Sequence, residues 1–123
     1  MTISTTTLVD DSFKVIVKAN GVGGETQQIL VNALELNDAT TEPKISIANV
    51  HYEIKGDGDI TLLFNESEEA LVIDKKGNYG LRPGEPKKKA TSSGNGNILL
   101  TSDADITSYN LVIECHKESG FTN

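Results

Sequence analysis

Covalent catalysis needs a nucleophile, a base beside it and a group that orients the base. The chain offers two histidines, His51 and His116, and one cysteine, Cys115. His51 lies in a long run with strand character. Cys115 and His116 are neighbours, and neighbours on a strand point to opposite faces, which rules against a thiol–imidazole dyad. Cys115 shares the parity of Tyr109, Leu111 and Ile113 and reads as a small core residue. A reactive thiol is the rival reading. Paired carboxylates could do acid–base work or hold calcium through oxygen ligands. The candidates are Asp57 with Asp59, Asp103 with Asp105, and Glu66, Glu68 and Glu69. All fall in turn-like stretches, where an aspartate usually caps its own backbone, and EF-hand spacing is absent. Gly21-Val22-Gly23-Gly24 matches neither a P-loop nor G-x-G-x-x-G, and it follows a strand without opening a helix. It reads as a hairpin turn. Pro83-Gly84-Glu85-Pro86-Lys87-Lys88-Lys89 is the sharpest electrostatic feature. Such a loop can grip an acidic neighbour or simply be solvated; as a nuclear localisation signal it is too short to stand alone. No catalytic residue, cofactor site or metal site is expected.

The frame for these residues follows from composition. A length of 123 residues fits one domain. With 37% hydrophobic residues and no tryptophan, the core must be built from Ile, Leu and Val. The formal net charge of −7 opposes nucleic-acid binding, which needs clustered Lys and Arg. One cysteine permits no intramolecular disulfide and no Cys-rich zinc site, as expected of a chain folding in a reducing cytosol. No stretch approaches the ~20 apolar residues that cross a bilayer. Met1-Thr-Ile-Ser-Thr-Thr-Thr has neither the basic start nor the apolar run of a signal peptide. Residues 1–11 read as an extended arm, since Thr-rich segments favour extended backbone; a frayed terminus is the other reading.

Apolar residues recur with period two almost everywhere. Phe13, Val15, Val17 and Ala19 share one face, with Lys14 and Lys18 on the other. Gln27–Leu36 is apolar on both faces and reads as a buried strand. A short helix is the alternative, because Leu30 and Leu34 are four apart. Asn37–Pro43 reads as a loop. Lys44–Lys55 changes phase: Ile45 and Ile47 lie on one parity, Val50, Tyr52 and Ile54 on the other. A β-bulge near Ala48-Asn49 would return both sets to one face. Gly56-Asp57-Gly58-Asp59 carries a hairpin signal and predicts a hairpin with Ile60, Leu62 and Phe64. Shorter strands follow at Leu71–Ile73, Tyr79–Leu81 and Ile98–Leu100. In the last strand Tyr109, Leu111, Ile113 and Cys115 alternate with polar positions. The expectation is an all-β fold, a β-sandwich or jelly roll of about seven to eight short strands. The domain spans residues 12–119, with a tail over 120–123.

Several segments, in order, resemble small virion structural proteins of tailed bacteriophages, marine ones especially. They are Pro43–Ile54, Ile60-Thr61-Leu62-Leu63-Phe64, Gly96-Asn97-Ile98-Leu99-Leu100-Thr101-Ser102 and Ser108-Tyr109-Asn110-Leu111-Val112-Ile113-Glu114. In such proteins a middle hairpin precedes a glycine-bounded G-x-I-L-x-T strand and a final hydrophobic strand. The resemblance implies a capsid decoration, or cement, protein on the capsid exterior, made in the host cytoplasm. Its partner would be the major capsid protein, and it would be a homo-oligomer, with a trimer suiting a local three-fold site. It would be no enzyme, and would bind neither nucleic acid nor membrane. The residues expected to meet the partner are Ile3, Thr5, Thr6, Thr7 and Leu8 of the arm and Arg82, Lys87, Lys88 and Lys89 of the loop. A tail, neck or fibre component is the alternative. So is a carbohydrate-binding module, although most of Phe13, Tyr52, Phe64, Tyr79, Tyr109 and Phe121 have core parity.

Overall fold

The computed structural model describes residues 3–11, 13–24, 26–37, 39–65, 68–80, 88–89 and 97–121. The larger sheet contains β1 (Ser4–Asp10), β2 (Lys14–Gly21), β4 (Ala39–Gly56), β7 (Lys76–Tyr79), β8 (Lys88–Lys89) and β10 (Ile106–Phe121). The smaller contains β3 (Gln28–Val31), β5 (Asp59–Phe64), β6 (Glu68–Asp74) and β9 (Ile98–Ser102). The larger runs in the order β1-β2-β10-β4-β7, with β8 also on β4; the smaller runs β3-β9-β5-β6. All pairings are antiparallel. The fold is an all-β sandwich, and among the described residues it has no α-helix, only a 3-10 turn at Ala33–Glu35.

The core sits between the sheets where period-two alternation puts it. Val15, Val17 and Ala19 enter it from β2, Tyr109, Leu111, Ile113 and Cys115 from β10, and Ile60, Leu62 and Phe64 from β5. Each fully buried Leu, Ile or Val contributes about 1.5–3 kcal/mol. The phase change in β4 is a bulge, as its sequence requires. Glu114 pairs with Asn49 but Cys115 with Ile47, so Ala48 is skipped. Ile45, Ile47, Val50 and Ile54 thereby all face the core. Gly80 seats this bulge: its φ is 96°, and a Cβ there would fall 2.0 Å from the Ala48 carbonyl oxygen.

Several expectations are corrected. The strands are ten among the described residues, and two are long: β4 has 18 residues and β10 has 16. β4 and β5 do not form a hairpin. β4 pairs with β10, β7 and β8, whereas β5 pairs with β6 and β9 in the other sheet. Gly56, at φ 103°, packs so tightly on the Asp105–Thr107 backbone that a Cβ would meet Asp105 O at 2.6 Å. The chain there turns from one sheet into the other. Gly21–Gly24 is likewise a corner between β2 and β3, held by Gly23 N–H on Ile106 O and Gly24 N–H on Ser102 O, both 3.1 Å. The strand expected over Gln27–Leu36 stops at Val31. The Ala33 N–H turns instead to Asn97 Oδ1, at 2.9 Å, and the chain closes a 3-10 turn. Ala39–Pro43 belongs to β4 and not to a loop, and β10 runs on to Phe121, opposite Ala39, into the expected tail. Phe13 leaves the core period and is 60% exposed. Asp11 accepts the N–H groups of Phe13 and Lys14 at 2.9 and 2.8 Å, and this turn swings the ring outward onto His116.

Candidate binding surface

β1 is an edge strand of the larger sheet, antiparallel to β2 from Ser4–Asn20 to Asp10–Val15. The register skips Leu8, which is therefore a bulge residue, a feature that blunts edges and strengthens twist. Thr5 lies opposite Ala19 and Thr7 opposite Val17, so these threonines face inward, yet they remain exposed. The smaller sheet does not cover them. Ile3, on the same parity, packs against the core. Ser4, Thr6 and Leu8 are exposed as well, Leu8 at 52%. Between β1 and the β3 corner opens a cleft of about 320 Å³, lined by Thr5, Thr7, Asp10, Ile29, Glu35 and Leu36 among others.

The C-terminal end of β1 is held differently. Lys117 takes the core parity of β10, and its side chain is only 2% exposed. Its Nζ donates to Asp10 Oδ1 at 2.7 Å, Asp11 O at 2.6 Å and Asn37 O at 2.9 Å. Asn37 in turn donates its N–H to Asp10 Oδ2 and its Nδ2 to Asp10 O, both at 2.9 Å. Sequence reading missed this knot. The available signal was a lysine on the apolar parity of a strand, since a buried ammonium demands a carboxylate. The Asp11 carboxyl is held below its usual value by the backbone N–H of Lys14, then that of Phe13, with partial desolvation opposing.

The arm and the basic loop do not form one site. Lys88 and Lys89 pair with Ile47 and Ser46 of β4, so β2, β10 and β4 stand between them and β1. Arg82 and Lys87 lie outside the described residues.

The residues singled out for chemistry take structural places. Cys115 is buried in the core, and burial, then the Glu114 charge, pushes its thiol up. Its neighbour His116 lies on the opposite face, 3.0 Å from Glu114 Oε2. His51 contacts the Asn78 side chain. Asp57, Asp59, Asp103 and Asp105 meet at one end of the sandwich through main-chain bonds. Asp57 N–H donates to Asp105 O at 3.2 Å, and Asp103 N–H to Asp59 O at 3.1 Å. Asp103 Oδ2 accepts the Asp59 N–H at 2.8 Å, so it holds the start of β5, 44 residues away, and not its own turn as local capping would have it. Of the glutamates, Glu66 lies outside the described residues, and Glu68 and Glu69 open β6. Among the described residues, no group of three or more His, Cys, Asp or Glu is arranged to hold a metal ion, and no helix is long and apolar enough to cross a membrane.

No protein-family model matches the chain, and no curated protein or solved structure is significantly similar to it.

Proposed function

We propose that the chain is a non-enzymatic structural protein of a virion, a capsid decoration protein that binds the major capsid protein and holds neighbouring subunits together. The observation that carries this reading is β1. Ser4–Leu8 is exposed on both faces, lies at the end of its sheet and overhangs an open cleft. Ser4–Thr7, the regular run ahead of the Leu8 bulge, offers its outward main-chain groups to a partner's strand, while the adjacent cleft selects side chains. The likeness of the strand segments to phage virion proteins supplies the setting. A subunit that binds the assembled shell better than free subunits stabilises the shell by linkage. Ile3, Thr5, Thr6, Thr7 and Leu8 make the contact in this reading. Arg82, Lys87, Lys88 and Lys89 add docking charge in this reading, Lys88 and Lys89 from beside β4, and a trimer fits a local three-fold site.

The test is imaging of purified particles carrying either the full chain or a chain lacking residues 1–8. The full chain should occupy joints between capsid subunits in many copies, and the shortened chain should be lost from them. Absence of the full chain from particles, or undiminished occupancy by the shortened one, overturns the reading. A few copies at a vertex or tail would reassign the protein to a tail, neck or fibre role.

A further inference from the structure

The cleft beside β1 has an apolar floor and a polar rim. Val17, Leu30 and Val31 line it, and all three are buried core residues. The rim is formed by Thr5 and Thr7 on the β1 side and by Glu35 of the 3-10 turn on the other. These three residues are exposed. Among the described residues, neither the two threonine hydroxyls nor the Glu35 carboxylate makes a hydrogen bond or ion pair. The space, about 320 Å³, is enough for one long side chain.

The cleft carries one negative charge that nothing offsets. Asp10 also lines it, but that carboxylate is taken up by Lys117 Nζ and the Asn37 N–H, and the Asp10–Lys117 pair is neutral as a whole. Glu35 has no such counter-ion. Among the described residues that line the cleft there is no lysine, arginine or histidine.

We infer that this cleft receives a lysine or arginine side chain from the partner strand that pairs with β1. The inference rests on the reading of β1 as the docking edge and adds to it the chemistry of what docks. Thr5 and Thr7 face inward, and cross-strand partners project to the same side of a sheet. The residue opposite either threonine on an added strand therefore points toward the cleft. A long basic side chain lays its methylenes on apolar surface and carries its charged head to a polar rim. Here the stem covers the valine and leucine floor. The head donates to the Glu35 carboxylate and the threonine hydroxyls, all of which accept N–H groups. An apolar side chain would cover Glu35 without giving its charge a partner, and an acidic one would meet like charge. The net charge of −7 also favours the approach of a basic strand.

NMR titration of the isotope-labelled full chain tests this without any particle. The probes are three short capped peptides of alternating threonine and valine, identical except for one central residue that is lysine, norleucine or glutamate. The lysine peptide should shift the amide signals of Ser4–Leu8 and of residues 33–36, and should bind about tenfold more tightly than the norleucine peptide. The glutamate peptide should bind least. Raising salt from about 0.1 to 1 M, where screening shortens from about 10 to 3 Å, should erode the lysine advantage. In Glu35→Gln the lysine peptide should fall to the level of the norleucine peptide, while the thermal midpoint stays at the wild-type value because Glu35 is exposed and unbonded. Equal binding of the lysine and norleucine peptides, or a lysine advantage that survives Glu35→Gln, overturns the inference and leaves β1 as the docking edge. Amide signals of β1 that move with none of the three peptides overturn the inference and the docking role of β1 together.

Discussion

At its C-terminal end β1 is tied down by a buried cation, whereas its first five residues, Ser4–Leu8, are exposed on both faces. The same strand, on the same neighbour, is therefore two different objects. Asp10 reaches an almost fully enclosed Lys117 Nζ and accepts the backbone N–H and Nδ2 of Asn37, so losing the carboxylate leaves a buried ammonium without its counter-charge. Thr5 and Thr7 face inward over a cleft that the smaller sheet leaves open, so little is lost inside the molecule when their contacts change. The side-chain ties of β1 are concentrated where the strand turns into β2, and Ser4–Leu8 is left exposed.

The strongest way to break that contrast is Lys117→Met. It removes the ammonium and leaves Asp10 Oδ1 and the carbonyl oxygens of Asp11 and Asn37 without that donor. The expected loss is about 3 kcal/mol of unfolding free energy, read as a lower urea midpoint, with hydrogen exchange accelerated at residues 9–11 and 37. Combining it with Asp10→Asn should recover part of the loss, because the stranded charge goes with its partner. An unchanged midpoint in the single variant would show that the knot does not hold β1.

A smaller effect comes from acid. Asp11 caps the turn between β1 and β2, and its carboxyl is held below its usual value of 3.8 by backbone N–H groups. A depressed carboxylate contributes stability that is fully present above its unfolded value and is lost as pH falls through the folded one. Asp11→Asn keeps an acceptor but loses the charge. The stability gap between wild type and this variant should be flat above about pH 5 and close as pH drops below about 4. The gap should be small and salt-sensitive, since the group is exposed. A gap that persists at low pH would assign the capping to geometry alone.

Thr6→Ala should do least. Thr6 is exposed, on the outer face opposite Lys18, and the expected change in a denaturant titration is within about 0.5 kcal/mol. A larger loss would mean that this half of β1 is also held from within, and would erase the contrast between the two halves.

Much of the layer structure was legible residue by residue. Val15, Val17 and Ala19, the bulge that reconciles Ile47 with Val50, and the core parity of Tyr109 through Cys115 all follow from period-two alternation, because a strand half-buried in a sandwich must put its apolar residues on one side. The candidate surface was legible only in part. The Thr-rich start reads as extended and polar, and it is a strand, but its antiparallel register on β2 was not foreseen. Lys88 and Lys89 were noted for their charge, while their place beside β4, on the far side of the sheet from β1, was not.

Sequence by itself determined that this chain is built of strands and which residues each strand turns toward the core, since alternation and backbone sterics are local. Only the tertiary structure decided which strands are neighbours. Gly56-Asp57-Gly58 carries a hairpin signal, yet close packing on the Asp105–Thr107 backbone sends the chain into the other sheet. Phe13 continues an apolar alternation, yet the Asp11 turn carries it out onto His116. Lys117 sits 107 residues from the carboxylate that neutralises it. Pairing, sheet membership and buried charge depend on contacts distant along the chain, and local periodicity carries no information about them.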